Sequence, residues 1–215
     1  MKAFYQDFKL GIIGGGQLGR MLLQACPNFN LHTCVLDPSA DGPCRGLANE
    51  YTQGSLQDYE TVYKFGKQAD LLTIEIENVN IAALYQLEKE GVTVYPQPSV
   101  IEIIQDKRVQ KQFYLDHNIP TAEFLLVNNR ADIRTNSGFL PAFNKLGKGG
   151  YDGGGVISLK GGADIDKAFD DYGLLEKTIE VATEISVIAA RNSLGEISVF
   201  PAVECIFHPE FNLVD

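Results

Sequence analysis

A chain of 215 residues, 45% hydrophobic and 21% charged, is long enough for a real core in one large or two small domains. Its formal charge of −10 argues against a nucleic-acid surface, which needs clustered Lys and Arg, and no apolar run approaches the ~20 residues of a membrane span. The N-terminus MKAFYQDFKLGII lacks a secretory h-region, and Cys26, Cys34, Cys44 and Cys205 have no C-x-x-C spacing, which points to free thiols in a reducing cytoplasm.

Leu10 to Ile13 reads as a short strand running into Gly14-Gly15-Gly16-Gln17-Leu18-Gly19-Arg20. Leu18, Met21, Leu22 and Ala25 then recur at helical spacing, so a helix begins within the glycines. A second strand, His32 to Leu36, ends at Asp37. Gly14, Gly16 and Gly19 satisfy G-x-G-x-x-G, with an acid ~20 residues on. Three readings stay open: a dinucleotide site, a structural tight turn, or a site for another phosphate, since a glycine-ringed helix start binds any of them. Tyr59, Val62, Tyr63 and Gly66 mark a helix face, and Leu71 to Ile74 reads as a buried strand. Glu75 and Glu77 follow where ligands of open parallel sheets bind, although solvent-facing edge acids are the plain alternative. Ile81 to Lys89 is helical, Gly91 a C-cap, and Val92 to Tyr95 a further strand.

A domain boundary is expected near Pro98, giving 1–98 and 99–215. Ser99 and Glu102 fit a capping box, opening a helical region that carries Lys107, Lys111 and Phe113. Phe124 to Val127 and Leu140 to Lys145 read as strands around a polar insert, Asn128 to Gly138. Then comes NKLGKGGYDGGGVISLK, with six glycines between Gly147 and Gly155. Glycines this dense give up backbone entropy and gain close approach of bare N–H groups to an anion. Lys145 and Lys148 add point charges suited to phosphate. A surface hairpin is the bland reading; Tyr151 and Asp152 at the centre favour a mobile flap over nucleotide phosphates. Asp164 to Tyr172 is expected to be helical, Leu174 to Lys177 a strand, and Val181 to Ala189 one arm of a long hairpin returning through Glu196 to Phe207. His32, His117 and His208 are scattered and have no metal spacing.

Gly-Gly-Tyr-Asp-Gly between two strands, with Lys145 shortly before it and Gly-Gln-Leu-Gly-Arg near the N-terminus, resembles the N5-carboxyaminoimidazole ribonucleotide synthetase family of ATP-grasp enzymes. The resemblance implies an α/β fold: a parallel-sheet pre-ATP-grasp domain, then part of an α+β ATP-grasp domain. It implies ATP-dependent carboxylation of aminoimidazole ribonucleotide with bicarbonate, through carboxyphosphate, in purine biosynthesis. By the same resemblance Lys107, Lys145, Gly149, Gly150 and Gly153 hold ATP phosphates. Glu176, Lys177 and Ile179 form the adenine hinge, and Glu184 takes the ribose hydroxyls. Gly16, Gln17, Leu18, Glu75 and Glu77 face the ribonucleotide, with Tyr151 and Asp152 as catalytic candidates. A cytoplasmic homodimer is implied for the intact enzyme. The Mg²⁺-holding acids are expected beyond Asp215, so no metal ligand is expected in this chain, which reads as an incomplete enzyme.

The chain departs from the family at Gly154, where a basic residue is usual, and at Ile76 and Asn80, where Phe and Pro are usual. An NAD-dependent dehydrogenase, a non-catalytic nucleotide-binding domain, and other ATP-grasp enzymes such as biotin carboxylase remain rival readings.

Overall fold

The computed structural model describes residues 8–150 and 154–207. Its first sheet is wholly parallel, in the order β3-β2-β1-β4-β5. The strands are β1 (Lys9–Ile13), β2 (His32–Asp37), β3 (Glu50–Gln53), β4 (Leu71–Ile74) and β5 (Thr93–Tyr95). β1 lies between β2 and β4, so Ile12 and Ile13 are fully buried, which is why the strand reads as unbroken apolar sequence. Strand order reverses at β1, and the crevice outside its carboxyl end is where the glycine turn sits.

The crossovers are α1 (Gln17–Ala25), α2 (Tyr59–Gly66) and α3 (Ile81–Lys89). Asp58 caps α2 by accepting from the Thr61 N–H, and Asn80 caps α3 by accepting from the Ala83 N–H at 2.9 Å. Gly91, with φ +89°, lies two residues beyond α3. The apolar stripe that marks α1 in the sequence is not its buried face: Leu18 and Met21 are 67% and 58% exposed, while Gly19 and Leu23 are buried. Gly19 decides this. A Cβ there would meet Cys44 Sγ and the Gly14 carbonyl at 3.2 Å, so the bare glycine edge is the one that approaches the sheet.

Two helices follow, α4 (Pro98–Gln105) and α5 (Lys107–Asp116). The expected Ser99 cap is corrected: Gln97 is the N-cap and Pro98 takes the first turn, where its fixed φ and missing N–H cost nothing. The chain turns extended at Asp106, whose carboxylate caps α5 by accepting from the Arg108 N–H at 3.0 Å. Ile101 of α4 belongs to the core of the first sheet, with Leu72, Leu84 and Leu87.

The second sheet is antiparallel, in the order β6-β9-β7-β8. It contains β6 (Phe124–Val127), β7 (Ala142–Leu146), β8 (Val156–Leu159) and β9 (Gly173–Lys177). The polar insert holds a helix, α6 (Arg130–Thr135), capped by Asn129, whose Ile133 enters this core beside Val127, Leu159 and Leu175. The helix expected over 164–172 is instead a 3-10 turn, Gly162–Lys167. Asp164 accepts from the Lys160 N–H and Asp170 from the Arg130 N–H, so these acids serve loop backbone rather than a helix. The long hairpin is broken into two short ribbons. β10 (Ile185–Ser186) pairs antiparallel with β13 (Val203–Glu204), and β11 (Ala189–Arg191) with β12 (Ile197–Val199). Their residues are exposed, so no apolar burial extends the ladders. No helix among the described residues is long and apolar enough to cross a membrane.

Candidate functional site

The second glycine loop grows from the end of β7. Its neck closes where the Leu146 N–H donates to the Gly155 carbonyl at 2.9 Å. Gly150 and Gly155 cross there with no room for side chains: a Cβ on Gly155 would lie 2.6 Å from Gly150 Cα, and one on Gly150 2.8 Å from the Gly154 carbonyl. Gly149 and Gly155 also hold φ near +80° (78° and 84°), which favours glycine. Tyr151, Asp152 and Gly153 lie outside the described residues.

The start of α5 abuts this neck. The Lys107 N–H donates to the Gly147 carbonyl at 2.8 Å, and Lys107 Nζ to the Gly150 carbonyl at 3.3 Å. Buried Asp106 fixes that junction through Arg108, whose Nη2 lies 2.7 Å from Asp106 Oδ2 and whose guanidinium sits 5.1 Å from the centre of the Tyr172 ring. Burial pushes the Asp106 carboxyl up, but the hydrogen bonds and charge of Arg108 outweigh it and hold it below the ordinary range.

Lys145 and Glu176 share one face of the second sheet, with Lys145 Nζ 2.5 Å from Glu176 Oε1. The other oxygen, Oε2, takes Lys111 Nζ. Burial pushes Glu176 up; hydrogen bonds from Lys111 and then Lys145, with their charges, hold it below the usual carboxylate range. Lys111 escaped sequence reasoning as a site residue. The signal was present, because Lys107 and Lys111 are four apart on one helix and so share a face. Lys177, next along β9, points to the opposite face, where its Nζ donates to the Phe139 carbonyl at 2.7 Å beside an open hollow of ≈570 Å³. Ile179 is 62% exposed. Glu184 is exposed, and its carbonyl accepts from the Cys205 N–H at 2.9 Å. Among the described residues no hydrogen bond or ion pair links Ile179 or Glu184 to the lysines.

The first glycine turn is bonded differently. The Gly15 N–H donates to Asp37 Oδ2 at 2.7 Å, and Glu75 lies close enough to accept from Gly16 and Gly19, both at 3.4 Å. A Cβ on Gly14 or Gly16 would come within 2.6 Å of a Glu75 oxygen, so the turn is shaped around that carboxylate. Gln17 and Leu18 are exposed, and Gln17 lines a recess of ≈310 Å³ with Arg20 and Met21. Glu77 stands apart, its carbonyl accepting from Gln105 Nε2 at 2.6 Å. The group of converging metal-type ligands found among the described residues is His32, Cys34 and Glu50, at the amino ends of the parallel strands. Lys9 Nζ already holds the same Glu50 oxygen at 2.7 Å, which disfavours a cation.

Two family models match the chain in succession: the ribonucleotide synthetase pre-ATP-grasp domain over residues 8–105 and the ATP-grasp domain over residues 112–210. N5-carboxyaminoimidazole ribonucleotide synthetase from Thermotoga maritima superposes with a TM-score of 0.81 at 35% identity, over 92% of this chain and 53% of its own. The chain pairs a ribonucleotide synthetase pre-ATP-grasp domain with an ATP-grasp domain, as these synthetases do. N5-carboxyaminoimidazole synthase from Aspergillus clavatus, in complex with ADP and 5-aminoimidazole ribonucleotide, superposes with a TM-score of 0.81 at 26% identity, covering 95% of this chain and 55% of its own. The chloroplastic phosphoribosylaminoimidazole carboxylase of Vigna aconitifolia is 36% identical over 201 residues, 91% of this chain and 36% of the relative. The chain thus spans about half the length of these solved structures and about a third of the plant relative.

Proposed function

We propose that this chain supplies ATP-binding and ribonucleotide-binding parts of an enzyme that carboxylates aminoimidazole ribonucleotide with bicarbonate at the expense of ATP, in purine biosynthesis. The observation that carries the reading is that Lys107 meets the Gly150–Gly155 neck, while Lys145, near the end of β7 that leads into that neck, pairs with Glu176 on the face of the second sheet. Ammonium groups beside closely packed glycine backbone fit the phosphates of a nucleotide. Lys107 and Lys145 would hold phosphate oxygens, and the backbone from Glu176 to Ile179 would read the base edge. Glu184 would accept from the ribose hydroxyls, since a carboxylate can accept two O–H bonds. Tyr151 and Asp152 would act on the substrate side. The division of labour follows the two sheets, residues 1–98 holding the ribonucleotide and 99–215 the nucleotide.

ATP supplies the phosphoryl group that activates bicarbonate, and Mg²⁺ would accompany its phosphates. No described residues gather the carboxylates such an ion needs, so we assign it no ligands here. We place the intact enzyme in the cytoplasm as a homodimer.

A dehydrogenase reading fits less well. In a dinucleotide fold the acid after the second strand binds a ribose hydroxyl. Asp37 spends both oxygens on the backbone N–H groups of Gly15 and Ser39, at 2.7 and 2.8 Å. Calorimetric titration of the chain with ATP and with NADH separates the two readings. Heat with ATP and none with NADH is expected; preference for NADH overturns the proposal.

A further inference from the structure

Lys111 has no place in the nucleotide site as described so far, yet it is a lysine with a side chain only 11% exposed. Its ammonium group is engaged on several sides. It pairs with Glu176 Oε2, donates to Thr121 Oγ1, and lies 5.5 Å from the centre of the Phe124 ring at cation–π distance. Lys145, by contrast, has one side-chain partner among the described residues, Glu176 Oε1, and is more exposed at 25%. Two lysines therefore share one carboxylate, but only one of them is bound to nothing else. The trio carries a net charge of +1, an attractive setting for an anion. Were Lys111 absent, Lys145 would be the sole counter-ion of a half-buried acid, and drawing it away would strand that acid.

We propose that Lys111 is a positioning residue that anchors the Glu176 carboxylate when Lys145 turns from it to a nucleotide phosphate. The inference rests on the nucleotide-binding reading above. Lys111 keeps Glu176 fixed at the end of β9, where the chain continues into the segment assigned to the base, and releases Lys145 for the ligand. Lys111 itself touches no ligand.

ATP affinity of the 215-residue chain, measured by calorimetry, tests this. Lys111→Met is expected to weaken ATP by at least ~10-fold, in line with the cost of parting a half-buried ion pair, while Lys111→Arg restores most of the affinity. In a Glu176→Gln background the further change Lys111→Met is expected to have almost no effect, because the acid it serves is already neutral. Equal affinity of wild type and Lys111→Met overturns the inference, and so does an equal loss in both backgrounds. Should Lys111→Met fail to fold, lysine side-chain NMR of the wild type decides. ATP is expected to move the Lys145 Nζ signal and leave that of Lys111 in place, and the reverse pattern sinks the idea. Absence of any ATP binding by the folded wild type would sink the nucleotide reading itself, a result distinct from a null effect of the variants.

Discussion

The clearest perturbation of the site that leaves its charges alone is Gly173→Ala. Gly173 opens β9 opposite Leu146, and a Cβ there would lie 2.2 Å from the carbonyl oxygen of Lys145 and 3.2 Å from its carbonyl carbon. Both atoms are backbone of the paired strand, so no side-chain rotation relieves the clash and the two strands must part. Overpacking of this kind costs ~1–3 kcal/mol, and a backbone contact so short belongs at the upper end. At ~2–4 °C per kcal/mol for a chain of this size, melting should fall by about 6–12 °C. Lys145 should shift with its carbonyl, so ATP affinity should fall in the same variant. Gly161→Ala is the control, because nothing lies within 4 Å of a Cβ there and its φ of −174° is extended backbone open to any residue. Differential scanning calorimetry with ATP titration reads both effects. A Gly173→Ala protein that melts within 1 °C of wild type would refute the argument that β7 and β9 are held together by a missing methyl.

Lys107→Ala removes a side chain with one hydrogen bond among the described residues, at 3.3 Å, so melting should hardly change while ATP weakens by ~10–100-fold, the worth of one charge-assisted bond, as titration will show. Glu90 accepts from Gln86, Lys67 and Tyr63, and these bonds depress its carboxyl from 4.5 to about 2. A depressed acid stabilises the fold above its unfolded value and loses that contribution as pH falls through the folded one. The melting gap between wild type and Glu90→Gln should thus be full at pH 7, narrow below about 4.5 and close near 2; a gap that widens in acid would contradict this. Glu75→Gln removes a negative charge from beneath the first glycine turn, so inorganic phosphate should perturb the amides of Gly16 to Gly19 more strongly than in wild type. Equal shifts in the two proteins would show that Glu75 does not face the anion.

Strands Leu71–Ile74 and Phe124–Val127 and helix Ile81–Lys89 were legible to the residue, because short apolar runs between turn residues, and a helix bracketed by Asn80 and Gly91, leave little choice. β3 was missed since Glu50-Tyr51-Thr52-Gln53 is polar: it forms an edge, paired on one side with Cys34 to Asp37, and has little surface to bury. α1 was found, but which of its faces is buried was not legible, because the choice between the Leu18 stripe and the Gly19 stripe depends on how closely a sheet approaches. Periodicity carries no such information. In the site, Lys107 and Lys145 could be named from motifs; for Lys111 the sequence offered only its i, i+4 spacing from Lys107, and the packing of α5 on β9 is what turns it from a solvated cation into a buried one.

The two glycine turns look alike in sequence and are opposites in charge. At the second, Lys107 and Lys145 stand beside packed glycine backbone, so an anion meets donors and positive charge together. At the first, the N–H groups of Gly15, Gly16 and Gly19 face Asp37 and Glu75, and an anion placed there alone would meet two carboxylates. At 4 Å, an effective dielectric near 20 makes one such encounter cost ~4 kcal/mol, more than a single charge-assisted hydrogen bond returns. A ligand of the first turn must therefore bring hydrogen-bond donors to Glu75 as well as a phosphate to the open end of α1. An aminoimidazole ribonucleotide carries both, an amine on its base and a phosphate on its ribose, while inorganic phosphate carries only one. The expected order of affinity is thus ribonucleotide far above phosphate in wild type, with the gap shrinking in Glu75→Gln as phosphate gains and the amine loses its acceptor. Chemical-shift titrations of both ligands against both proteins measure that gap, and a gap unchanged by the substitution would remove Glu75 from the substrate site.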